Sequence, residues 1–435
     1  MSFFYTLYCR AFQSALYLAA FLLPWREPVK LEGEGALSRL PALIKELGLS
    51  RVLLVCGRHT SALGLTAPLL KGLEAEGVAC LVYDGSVPNP TDTCVEEAYK
   101  IYREGACEGI IAFGGGSPMD LAKAAAARAA RPSKTLLQMA GTLKIMKKLP
   151  PLFAIPTTAG SGSETTLAAV ITEEATHHKF TMQDPALIPG WAVLDPSLTL
   201  KLPPGVTAAT GMDALCHAVE AYIGRANTAA TRKHALEAVR LVSENLYEAF
   251  ENGENIAARA NMQRASYLAG LAFTRAYVGY VHALSHALSG LYGLGHGLAN
   301  AVLLPYVLRA YGESVRRPLS ELAARVGLKK DGEKLVCSKS VLNALVPPPS
   351  VGEPERKSPL NGVLGESSPA ESFILWIEEM NAKMGIPSKL EEIKEEDLPL
   401  LVSRALKEAN PLYPVPKIMG AEELVAIYRE AGGLS

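Results

Sequence analysis

Two stretches that lie far apart in the chain carry polar side chains that a fold can bury only together. One is Thr210-Gly211-Met212-Asp213-Ala214-Leu215-Cys216-His217-Ala218-Val219-Glu220, and the other runs from Val281-His282 to Gly297. Apolar residues recur through Ala214, Leu215, Ala218, Val219 and Tyr222. The first stretch therefore reads as a buried helix with Asp213 and His217 one turn apart on one face. The second repeats the arrangement, with His282 and His286 four apart in a helix-like run and a glycine-rich turn, Gly290 to Gly295, leading to His296. A lone histidine on an apolar helix is ordinarily a hydrogen-bonded core residue. An aspartate and several histidines within two mostly uncharged stretches exceed that explanation, because each buried polar group without a partner is costly. A metal ion offsets the cost. A carboxylate oxygen and imidazole nitrogens suit zinc or ferrous iron, for which a four-ligand tetrahedral set is ordinary.

The remaining composition narrows the partners. With 43 basic and 44 acidic residues in 435, the chain is nearly neutral. That argues against nucleic acid or an acidic membrane held by bulk charge. Seven cysteines, odd in number and never in CxxC spacing, suggest no disulfide framework, and the reducing cytoplasm fits best.

Residues 1–30 form an apolar extension. From Ser2 to Trp25 the only charge is Arg10, and Ser2, Thr6, Arg10, Gln13 and Ser14 form a narrow polar stripe on a helix. No basic segment or cleavage site accompanies it, so the expectation is a helix docked on the protein or on a neighbouring subunit, and not a membrane anchor.

Residues 31–198 alternate short apolar strands with helices. Strands are expected at Arg51–Cys56, Ala79–Tyr83, Gly109–Phe113 and Leu152–Ile155, with helices at Ala36–Leu47, Leu63–Glu76, Thr91–Gly105 and after Pro118. This is the pattern of an α/β domain with a parallel sheet. At the end of the Ile110 strand stands Gly114-Gly115-Gly116-Ser117-Pro118-Met119-Asp120-Leu121-Ala122-Lys123. Glycines let the backbone approach an anion, Ser117 and Pro118 suit a helix start, and the helix N-terminus would hold a phosphate. The spacing is not that of G-x-G-x-x-G, and a turn without a ligand reads equally well from the residues alone. A second loop, Pro156 to Thr166, is dense in glycine and hydroxyls, as phosphate and ribose contacts require and as many surface loops also are.

Residues 199–435 read as an all-α domain. Helical patterns cover Ala208–Ile223, Ala229–Phe250, Ile256–Tyr277 and Val281–Leu288, and return over Ala370–Met384, Glu395–Ala409 and Ala421–Ala431. Between them, about residues 329–368, Pro347-Pro348-Pro349 and mixed charge mark an irregular insert.

With the glycine turn, the threonine loop, the Asp/His helix and the three-histidine stretch in this order, the chain resembles the iron-containing (group III) alcohol dehydrogenases, closely over about residues 31–330 and more loosely beyond. The resemblance implies an active site in the cleft between the α/β and helical domains. It makes Asp213, His217, His282 and His296 the ligands of Fe2+ or Zn2+, and His286 an additional active-site histidine near substrate and nicotinamide. Cofactor contacts would fall on Asn89, Gly115, Gly116, Ser117, Asp120, Thr157, Thr158, Ser161, Thr166 and Lys179. Without the resemblance, Asn89 reads as a turn residue before proline, Lys179 as a solvated lysine and Asp120 as a first-turn acid. The implied reaction is reversible hydride transfer between a small primary alcohol or aldehyde and NAD(P)(H), by a homodimer or larger homo-oligomer.

Two departures carry expectations. NAD-preferring relatives place an aspartate at the end of the Val52 strand, where this chain has Gly57 and then Arg58. Loss of the acid beside an arginine accommodates a 2′-phosphate, so NADP(H) is expected over NAD(H). Gly295 precedes His296 where relatives often have proline, which is expected to loosen that turn. Two rivals remain at this point. A metal- and NAD-dependent lyase of the dehydroquinate-synthase kind would need many basic side chains, and the two metal stretches offer almost none. An inert scaffold assembled through the N-terminal helix would not need the histidines.

Overall fold

The computed structural model describes residues 3–176, 178–328 and 368–434. The insert expected over 329–368 thus lies outside the described residues, apart from Ser368. A six-stranded sheet organises the first part: β1 (Val29–Glu32), β2 (Arg51–Gly57), β3 (Ala79–Ser86), β4 (Gly109–Gly114), β6 (Leu152–Pro156) and β9 (Trp191–Leu194). Their order is β1-β9-β6-β4-β2-β3, and every pairing is parallel. The three central strands are continuous apolar runs because both of their faces are covered. Leu53, Val55, Ile110 and Ala112 pack on one side against α5 (Asp92–Glu104) and α6 (Gly116–Ala130). Val52, Leu54, Ile111 and Phe113 pack on the other against α2 (Leu40–Glu46) and α4 (Ala67–Ala75). The helix expected over Leu63–Glu76 is α4, which starts later than expected, at Ala67; a separate short helix, α3 (Arg58–Ala62), precedes it across a turn at Gly64, whose φ of 70° suits glycine.

Five strands were not foreseen: β1 and β9 of the main sheet, and the three of a smaller sheet. β7 (Ala168–Glu173) and β8 (His178–Gln183) form an antiparallel hairpin, and the two-residue β5 (Gly141–Thr142) pairs parallel to β8. The hairpin is only half-buried, so its alternation is too short to stand out from a loop.

The second part is helical, with α7 (Pro204–Ile223), α8 (Ala229–Glu251), α9 (Ile256–Ala276), α10 (Tyr280–Tyr292), α11 (His296–Tyr311), α12 (Arg316–Arg325), α13 (Pro369–Lys383), α14 (Leu398–Ala409) and α15 (Ala421–Gly432). Helix α7 is its axis: every residue from Gly211 to Ile223 is buried, the polar Asp213, His217 and Glu220 included. The two parts meet at close backbone contacts. A Cβ on Gly162, which has φ 58°, would lie 2.8 Å from Gly270 Cα of α9, so the hydroxyl loop lies directly on the helical part.

The N-terminal extension forms α1 (Phe3–Ala20), docked with Cys9 and Gln13 buried. Of its polar stripe, Gln13 is buried and Thr6 and Arg10 are half-buried, whereas Ser14 is exposed; Phe3 and Phe4 are 76% and 80% exposed. Among the described residues, no helix is long and apolar enough to cross a membrane. None of the six described cysteines is in a disulfide.

Candidate metal centre and cofactor cleft

Helices α7, α10 and α11 bring the expected ligands together. Asp213 and His217 project from one face of α7, His282 from α10, and His296 is the first residue of α11. One ligand atom from each lies within 4.8 Å of the others. His217 Nδ1, His282 Nε2 and His296 Nε2 stand 3.9, 4.0 and 3.6 Å from Asp213 Oδ1. Burial pulls all three imidazoles down: His282 well below its ordinary value, His296 to about 3, and His217 in the same direction. Neutral imidazoles offer lone pairs, the form a metal requires.

Two observations test whether a cation fits. His217 Nδ1 is buried with no hydrogen-bond partner. The amide nitrogen of Asn300, on α11, lies 2.7 Å from Asp213 Oδ1, 3.1 Å from His296 Nε2 and 3.3 Å from His282 Nε2. Acceptor atoms from three elements thus converge on a single donor, while the fourth candidate ligand atom, His217 Nδ1, is left unpaired. One oxygen and three nitrogens so placed could hold a divalent ion.

Outside the four, Glu220 holds the rear of His282. Its Oε2 lies 2.6 Å from His282 Nδ1, and its two oxygens accept from the backbone N–H groups of Gly279 and Val281, each at 2.9 Å. Burial pushes this carboxyl up to about 7, and the backbone donors at Gly279, Val281 and His282 oppose the rise. A carboxylate behind a ligating imidazole sets which ring nitrogen faces the metal. Glu220 stood in the quoted helix without a role. An acid one turn beyond His217 in an otherwise apolar helix was the available signal, as was Asn300 one turn beyond His296.

His286, one turn along α10 from His282, stacks on His296 with ring centroids 4.8 Å apart. Its Nδ1 lies 2.6 Å from Oε1 of Glu408, near the end of α14. Nothing local in the sequence connects these two residues. Gly295 adopts φ −58°, within the range that a proline ring imposes, so the turn before His296 keeps the geometry a proline would give it.

In the α/β part the glycine turn and the hydroxyl loop face each other. A Cβ on Gly115 would lie 3.2 Å from Thr158 Oγ1, and one on Gly116 would lie 3.2 Å from the Ser161 Cβ. Gly115 is the N-cap of α6, and Ser117 lies in its first turn, past the cap position expected for it. Asn89, with φ 57°, accepts from Lys179 Nζ at 2.8 Å, a pairing made by the β7–β8 hairpin. Thr157 is buried at the start of the loop. Gly57 ends β2, and Arg58 opens α3 with an exposed side chain.

Besides the paired Asn89 and Lys179, two further expected cofactor residues, Asp120 and Thr166, are engaged by protein. Asp120 accepts from Ser163 Oγ at 2.8 Å and from the Val170 N–H at 3.0 Å. Thr166 Oγ1 accepts from Lys123 Nζ at 2.7 Å. Lys123 is fully buried and also donates to Ser163 Oγ and to the carbonyls of Thr166 and Ala168. Burial pulls its ammonium down to about 8, against the pull of Asp120 and Glu164. Together these groups tie the hydroxyl loop to α6.

Comparison with known proteins agrees with this arrangement. The family model for iron-containing alcohol dehydrogenases matches residues 29–196, and that for the C-terminal part of the Fe-containing alcohol dehydrogenase family matches residues 207–346. The chain is 36% identical over 407 residues to 1,3-propanediol dehydrogenase of Citrobacter freundii, covering 93% of this chain and 97% of that one. It is 32% identical over 406 residues to NAD-dependent methanol dehydrogenase of Bacillus methanolicus, covering 93% and 98%. A crystal structure of 1,3-propanediol oxidoreductase matches with a TM-score of 0.83 at 34% identity, covering 94% of this chain and 99% of that one. The chain belongs to the iron-containing alcohol dehydrogenase family, and is an oxidoreductase with a metal and a nicotinamide cofactor. The lyase alternative is not favoured.

Proposed function

We propose that this chain interconverts small primary alcohols and aldehydes with NADP(H), using ferrous iron held by Asp213, His217, His282 and His296. The observation that carries the ligand assignment is the buried, unpaired Nδ1 of His217 beside three other convergent ligand atoms. When bound, the ion supplies Lewis acidity toward the substrate oxygen. Asp213 and the neutral imidazoles hold it, and Glu220 keeps the His282 ring turned toward it. His286, with Nδ1 engaged by Glu408, presents Nε2 to the substrate and handles the proton at the substrate oxygen. Gly115, Gly116 and Ser117 at the α6 N-terminus receive the pyrophosphate, with Thr157, Thr158 and Ser161 closing on it and Asn89 and Lys179 on the nicotinamide side. Asp120 and Thr166 act on the cofactor through the loop that they tie. Gly57 removes the acid that would repel a 2′-phosphate, and Arg58 supplies a cation for it.

The division at residues 198/199, a homo-oligomer and a cytoplasmic setting belong to the same reading. The six described cysteines, none in a disulfide, support the cytoplasmic setting, the apolar outer side of α1 supports the homo-oligomer, and the change from alternating strands and helices to helices alone supports the division. The experiment is NADPH and, separately, NADH oxidation with a short aliphatic aldehyde, using protein stripped of metal and reloaded anaerobically with Fe2+ or Zn2+. Metal-restored oxidation, faster with NADPH, is expected. Oxidation that never depends on added metal would reject the ligand set, and higher efficiency with NADH would reject the cofactor preference. His286→Ala is expected to keep its metal and lose about 100-fold or more in rate; loss of metal instead would mean that His286 is a ligand.

A further inference from the structure

We propose that Glu408, Tyr413, Gln13 and Arg10 form one positioning chain that sets the ring orientation and tautomer of His286, which makes the N-terminal helix part of the active-site architecture. The inference rests on the reading of His286 as the group that serves the substrate. Glu408 Oε1 lies 2.6 Å from His286 Nδ1 and also accepts from the Tyr413 hydroxyl at 2.8 Å. With the carboxylate as acceptor, Nδ1 carries the hydrogen, and in the neutral ring that leaves Nε2 with its lone pair. The carboxylate grips the ring edge while His296 stacks on its face with an interplanar angle of 20°.

What holds Glu408 is a turn. Immediately after α14 the chain passes through Asn410 and Pro411 to Tyr413, which is buried. Two α1 side chains take the carbonyls of this turn. Gln13 Nε2 donates to Tyr413 O at 2.7 Å and to Pro411 O at 3.1 Å. The Arg10 guanidinium donates to Val415 O at 2.7 Å and to Pro416 O at 2.9 Å, and also to Gln13 Oε1 at 2.9 Å. The path from α1 to the active-site ring therefore runs from Arg10 and Gln13 through the turn to Tyr413, Glu408 and His286, each joined to the next by a hydrogen bond or by the backbone.

The orientation of α1 argues that these bonds are its purpose. A helix that only adhered to the surface would bury its aromatic residues, since removing a large apolar side chain from water stabilises more than an ordinary hydrogen bond does. This one leaves Phe3, Phe4, Leu7 and Tyr8 more than half exposed and buries a small cysteine and a glutamine. The contacts that decide which side faces in are the polar ones to the 411–416 carbonyls.

The test uses the full-length protein. Long-range 1H–15N spectra of the diamagnetic zinc-loaded form are expected to show His286 protonated at Nδ1 in the wild type, and at Nε2 or in a mixture in Glu408→Ala. Kinetics of the same proteins with a short aldehyde are expected to show kcat lower by about 10- to 100-fold in Glu408→Ala, with KM and metal content little changed. Glu408→Gln retains an acceptor oxygen and is expected to recover most of the rate. The Arg10→Ala/Gln13→Ala double variant is expected to lose about three- to tenfold in kcat with full metal occupancy. A wild-type ring protonated at Nε2 overturns the inference. So do variants that melt earlier but keep wild-type kcat per metal-loaded site, which is what a merely structural chain would give. If zinc or iron enzyme fails to turn over while the tautomer still answers to Glu408, the functional reading fails and the positioning chain stands. If the wild type turns over and His286→Ala loses rate while Glu408→Ala changes neither tautomer nor kcat, the positioning chain alone fails.

Discussion

The metal cage and the loops of the cofactor cleft were both expected to hold a ligand, yet their hydrogen bonding differs. In the cage, His217 Nδ1 is buried without a partner and a single Asn300 amide is shared among three ligand atoms. In the cleft, Asp120 and Thr166 are satisfied by Ser163, Val170 and Lys123. Buried polar atoms left unpaired mark the place a ligand completes, whereas fully paired ones mark scaffold. Residues that look alike in the sequence as candidates for a site therefore play two physical roles.

The contrast can be broken from the cage outward. Asp213→Ala is expected to lose metal and activity together, about 4 kcal/mol or a thousandfold in rate; metal analysis beside the NADPH assay decides it, and activity at full metal loading would remove Asp213 from the ligand set. Lys123→Met strands several oxygens that now accept from one ammonium, so stability should fall by about 3 kcal/mol in urea unfolding while metal binding persists. Unchanged stability with weakened cofactor binding would instead move Lys123 from scaffold to cofactor contact. Glu220→Ala frees the rear of His282, and chelator competition should report metal affinity lower by about 10- to 100-fold. A variant that binds metal as tightly as the wild type would leave Glu220 a purely structural acid. The smallest effect is expected at the cleft rim, where Gly57→Asp should shift the NADH/NADPH efficiency ratio toward NADH by about tenfold, or 1.4 kcal/mol. No shift would show that Gly57 and Arg58 do not read the 2′-position.

Local pattern carried much of the fold. The central strands are apolar runs because they are covered on both faces, and α7 reads as buried because apolar residues recur along it. The β7–β8 hairpin was missed because a half-buried strand with little alternation looks like a loop, and with it went the reason Lys179 meets Asn89. Glu408 was missed for a stronger reason. It lies 122 residues from His286, and neither residue's neighbours predict the other.

By itself the sequence determined which residues had to be gathered. An aspartate and several histidines at helical spacing within apolar stretches cannot be buried separately, and each helix dictates which of them share a face. Only the tertiary structure decided which atoms converge, which candidates are already paired by protein, and that an N-terminal helix is linked to the His286 ring through a C-terminal turn. Helical periodicity is a property of neighbours in the chain, whereas hydrogen-bond saturation depends on groups that meet only after the chain has folded.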